Sequence, residues 1–79
     1  MERNEIFERL NEVFRDVFDD DTITVAEDTT AADVEGWDSL MHITLISAVE
    51  DEFDVNFNMK DVVSMKQVGD MVDIIEQEA

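Results

Sequence analysis

Gly36-Trp37-Asp38-Ser39-Leu40-Met41-His42-Ile43 is the stretch from which the rest of this chain can be ordered. Asp38 stands directly before a run in helical periodicity, Leu40 to Phe53, and its carboxylate suits a cap that accepts a backbone N–H two or three residues on. The spacing therefore predicts a helix that starts at Asp38 with Ser39 in its first turn. Unpaired N–H groups and the helix dipole favour an anion there, so a phosphodiester on the Ser39 oxygen would sit in a favourable field. No catalytic apparatus surrounds the hydroxyl. His42 lies three residues on and invites a Ser–His nucleophile reading. Against it, no Gly follows Ser39 and no alternating strands are present to build a nucleophile elbow. His42 is expected instead to pack at the helix base, with a ring nitrogen bonded to the preceding loop.

With about 100° per residue, Leu45, Ile46, Val49 and Phe53 share one face of this helix with His42, while Leu40, Thr44, Ser47 and Asp51 fall opposite. Leu40 is thus expected to be exposed beside Ser39. Upstream, Ile6, Phe7, Leu10, Val13, Phe14, Val17 and Phe18 recur at three- and four-residue spacing, with charged residues between them, and predict a first amphipathic helix. Asp19 to Trp37 shows neither period and reads as a long loop pinned by Ile23, Val25, Val34 and Trp37. A strand over Thr22–Val25 would lack a partner. Downstream, Val55 and Phe57 read as buried connectors, Asn58 as the cap of a short helix over Met59 to Val63, and Ser64 with Gln67 as a capping box opening a last helix. In that helix Val68, Met71, Val72 and Ile75 form the core stripe, and Gly69 weakens the first turn by about 1 kcal/mol relative to Ala. The expectation is an all-α fold, with a long first loop and a short third helix, forming a single domain over residues 1–79.

Seventy-nine residues support only a small core, which argues against a self-sufficient enzyme with a large pocket. A formal charge of −17, from 22 acidic and five basic residues, repels nucleic acid and anionic lipid and attracts basic protein surfaces. A hydrophobic content of 44% in clear periodicity separates the chain from disordered acidic sequences. There is no cysteine, hence no disulfide or thiolate metal site. Asp19-Asp20-Asp21 and Glu27-Asp28 lack the spacing of an EF-hand, so no specific metal site is expected. No apolar run reaches the roughly 18 residues of a membrane span and no signal peptide precedes Met1-Glu2-Arg3-Asn4, so a cytoplasmic location is expected; a monomer is expected as well.

Gly-Trp-Asp-Ser-Leu, the helix order around it and the acidic cluster Glu50-Asp51-Glu52 eleven residues after Ser39 resemble the acyl carrier protein family over nearly the whole chain. The resemblance implies a four-helix acyl-carrier bundle in which Ser39 bears a covalent 4'-phosphopantetheine donated by coenzyme A. The thiol of that arm would supply what a cysteine-free chain lacks, a sulfhydryl to hold acyl groups as thioesters. The resemblance also implies that Asp38 touches the phosphopantetheinyl transferase and that Leu40 contacts partner enzymes. Glu50, Asp51 and Glu52 would dock basic patches of loading ligases, condensing enzymes or acyltransfer enzymes. Gly-Trp-Asp-Ser-Leu is closer to carriers of specialised pathways, and to D-alanyl carriers, than to the fatty-acid carrier, which implies a carrier of a lipid, polyketide or related pathway. Met41 and Thr44 depart from the fatty-acid pattern, which has acids there, and favour a dedicated ligase or condensing enzyme as partner. An aminoacyl carrier, D-alanyl or peptidyl, is the alternative within the family. An acidic helical adaptor without a prosthetic group is the alternative outside it.

Overall fold

The apolar stripe of the first helix governs the assembly. In the computed structural model, which describes residues 1–78, α1 spans Arg3–Val17 and buries Ile6, Leu10, Val13 and Phe14. It packs against α2 (Ser39–Phe53) and α4 (Val68–Glu78), whose stripes Leu45, Ile46, Val49, Phe53 and Val68, Met71, Val72, Ile75 close one continuous core. Burying each such side chain contributes about 1.5–3 kcal/mol, and these stripes are the periodic residues of the sequence. α3 (Met59–Ser64) is different, since none of its residues is buried. The four helices and a single 3-10 turn at Ala31–Asp33 are the regular elements among the described residues, and no strand occurs among them.

The long first loop is held by side chains of α1 rather than by a strand partner. Asn11 Oδ1 accepts the Val25 N–H at 2.6 Å, and Arg15 donates to the Ile23 carbonyl at 2.7 Å. Val25 and Val34 are buried, and Ile23 and Trp37 pack against the core from its edge. The 3-10 turn, which no periodicity announces, is bracketed by Asp33 Oδ2 accepting from the Thr30 N–H at 2.9 Å.

The start of α4 departs from the expected capping box. Ser64 ends α3 and donates its hydroxyl to the Asp61 carbonyl, while Asp70 Oδ2 reaches back to the N–H groups of Lys66 and Gln67 at 3.0 and 3.3 Å. The acceptor comes from inside α4 because Ser64 is still helical and turned away from that end. Gly69 has a positive reason to be there: its N–H donates to the Glu27 carbonyl at 2.9 Å, and a Cβ would lie 2.8 Å from that oxygen. The long loop thus crosses α4 in direct backbone contact.

Candidate functional site

Gly36 opens the site with φ +88°, a left-handed conformation that side chains disfavour. Trp37 then lays its ring edge-on to Phe14, 5.2 Å between centroids, which fastens the end of the loop to α1. Its indole N–H donates to His42 Nδ1 at 3.0 Å, with the two rings stacked at 5.8 Å. An indole nitrogen only donates, so Nδ1 of His42 is the acceptor of this bond. The histidine is therefore engaged with the preceding loop, as its position predicts.

Asp38 caps α2. It is extended at φ −113°, its Oδ1 accepts the Met41 N–H at 2.8 Å, and its carbonyl accepts from His42 N–H at 2.9 Å. Ser39 follows as the first helical residue and is exposed. The N–H groups of Ser39 and Leu40 have no acceptor among the described residues. An anion on the Ser39 oxygen would meet two free donors and the positive end of a 15-residue helix. The donor set fits a phosphodiester.

Beside Ser39 runs a groove of about 550 Å³ between α2 and the α3 segment. Trp37, Ser39 and His42 form one side, and Ile43, Val62, Met65 and Met71 give it an apolar lining. Leu40, Ile43, Met59 and Val63 are large apolar side chains between 66% and 78% exposed; the last three line the groove, and Leu40 follows Ser39 in the first turn of α2. α3 contributes one wall of this furrow, with Val62 half-buried against the core and no residue of the helix fully buried. Periodicity points to Leu40 alone among these four. Met59 and Val63, four residues apart on a helix whose neighbours carry the core, were the available signal for the rest.

The acidic cluster divides in the structure. Glu50 Oε2 accepts the Phe57 N–H at 2.8 Å and so ties the end of α2 to the connector leading to α3. Glu52 pairs with Arg9 at 2.8 Å, and Arg9 also donates to the Glu52 carbonyl and lies over the Phe53 ring. Asp51 is exposed, and its carboxylate makes no hydrogen bond or ion pair with the described residues. Of the three, Asp51 alone keeps its whole carboxylate for solvent or a partner. Among the described residues no three His, Asp or Glu side chains converge as metal ligands, and no helix is long and apolar enough to cross a membrane.

Residues 8–75 match the family model described as "Phosphopantetheine attachment site". The chain belongs to the acyl carrier protein family. It is 30% identical over 71 residues to a protein of Clostridium acetobutylicum named "Acyl carrier protein", covering 90% of this chain and 92% of that one. The solution NMR structure of a holo acyl carrier protein from Geobacter metallireducens superposes with a TM-score of 0.86 at 36% identity. That match covers 91% of this chain and 83% of the other. Membership brings a covalently attached phosphopantetheine, a transferase that installs it and biosynthetic enzymes that the arm visits. Carriers of this family hold groups and are not enzymes.

Proposed function

We propose that Ser39 bears the arm and that the carrier presents acyl thioesters to the enzymes of a specialised pathway. What carries this reading is the placement of Ser39: an exposed hydroxyl on the first turn of α2, fixed by the Asp38 cap and followed by unpaired N–H donors. On transfer from coenzyme A, the Ser39 hydroxyl gives up its proton in the transferase site as its oxygen forms a new bond to phosphorus, the pyrophosphate link of the donor breaks, and adenosine bisphosphate leaves. The arm supplies the thiol, and every other contribution comes from the protein. The cap holds the attachment point still, the groove offers apolar surface to the first carbons of an acyl chain, and Leu40 stands beside the arm for contact with a docked enzyme. Tethering raises the effective concentration of the acyl group at each docked active site.

The specialised character is supported by the same face. Met41 and Thr44 are neutral, Glu50 and Glu52 are engaged within the fold, and the rim of the groove is apolar. Docking then rests on Asp38, Leu40 and Asp51, with Glu50 and Glu52 contributing charge from fixed positions.

Incubation with coenzyme A, magnesium and a broad-specificity phosphopantetheinyl transferase should add the mass of one phosphopantetheine to the intact protein. Ser39→Ala should remain unmodified. An unchanged wild-type mass beside a modified control carrier would sink the assignment, as would modification that survives in Ser39→Ala.

A further inference from the structure

The five cations of the chain divide sharply by use. Arg3 is held by Glu27, Asp73 and Glu76, Arg9 by Glu52, and Arg15 by the Ile23 carbonyl and the Thr24 hydroxyl. Lys60 and Lys66 have no carboxylate at ion-pair distance among the described residues, in a chain with 22 acidic residues. Of these two, Lys66 lines the groove that Ser39 also lines. The other titratable groups of that groove are Asp38, whose carboxylate caps α2, and His42, whose Nδ1 accepts the Trp37 N–H. Among the described residues Lys66 is therefore the one Lys or Arg on the groove wall. Its backbone is already fixed, since its N–H donates to Asp70 Oδ2 at 3.0 Å, which leaves the long side chain as the movable part.

Attachment of the arm, which rests on the reading of Ser39 above, places a phosphodiester charge next to Asp38 on a chain already at −17. The free N–H groups of Ser39 and Leu40 offset part of that repulsion, and the ammonium of an exposed, flexible lysine among the residues lining the same groove is suited to offset more. We propose that Lys66 is the counter-ion of the arm's phosphodiester and draws the arm toward the α3 side of the groove. α3 buries no residue, so a new contact at its downstream connector couples installation of the arm to the seating of this helix. An exposed ion pair adds little to global stability. The signature is therefore local and sensitive to salt.

The test uses 15N-labelled protein before and after conversion with coenzyme A and transferase, as wild type, Lys66→Gln and Lys60→Gln, at low and high salt. In wild type and Lys60→Gln, conversion should shift the backbone amides of Met65 to Val68 as well as those of Ser39 to Met41. In Lys66→Gln the first group of shifts should be lost and the second retained, and high salt should reproduce that loss in wild type. The phosphorus resonance of the arm should differ between wild type and Lys66→Gln. Shifts at Met65 to Val68 that persist in Lys66→Gln, or that are missing from wild type at low salt, overturn the proposal. Intact mass measured on the same samples separates the two levels: a modified protein with unmoved shifts overturns Lys66 alone, and an unmodified one overturns Ser39 and Lys66 together.

Discussion

Glu50 and Asp51 are adjacent acids with different tasks, and substitution should separate them. Glu50→Ala removes a charged acceptor from the Phe57 N–H and should cost about 1–2 kcal/mol. Asp51→Ala should stay within about 0.5 kcal/mol of wild type, as an exposed residue without partners does. Urea denaturation of both variants measures the difference, and equal losses would show that the Glu50 contact does not hold the connector. Asp51→Lys should slow association with a loading enzyme at low salt and leave stability alone, since a rim charge acts on encounter more than on contact energy. At this scale the sequence shows which residues are acidic but not which of them are occupied. Occupation depends on Arg9 and the Phe57 amide, 43 and seven residues away from their partners. Asp38 was readable because its partner, the Met41 amide, is three residues off.

Among the elements, α1, α2 and α4 are legible because each carries a stripe that must be buried, and burial fixes both the element and its inward face. α3 and the groove are less so. A six-residue helix with no buried side chain leaves only its cap, Asn58 accepting from Asp61 N–H at 2.8 Å, as a local sign. The start of α4 misleads in a way that tertiary contact explains. A helix propensity scale makes Gly69→Ala stabilising by about 1 kcal/mol. The new Cβ, however, would stand 2.8 Å from the Glu27 carbonyl oxygen, a backbone atom that cannot swing aside. Overpacking of that kind costs roughly 1–3 kcal/mol. Gly69→Ala should therefore be destabilised on balance, with a lower urea midpoint than wild type, and a raised midpoint would mean that the loop yields easily.

Across the whole molecule, a net charge of −17 on 79 residues opposes compaction, so the melting midpoint should rise with salt and more steeply with magnesium. A midpoint indifferent to ionic strength would show that repulsion is not limiting. One pair has a pH dependence of its own. The Arg3 guanidinium, hydrogen-bonded to Glu27, holds that carboxyl below the usual carboxylate range. The unfolded chain takes up the proton first, so the contribution of Glu27 is complete above its ordinary pKa and disappears as pH falls through the lowered folded value. The stability difference between wild type and Glu27→Gln should shrink across that acid window, which denaturation at a series of pH values would follow. Arg3 also reaches Asp73 at 2.9 Å and Glu76 at 3.1 Å. The first turn of the first helix and the last helix are thus pinned within one side chain's reach. Spliced between two neighbours in a longer polypeptide, the fold would hang from almost a single pivot, and the lengths of the flanking tethers would set how far Ser39 can swing.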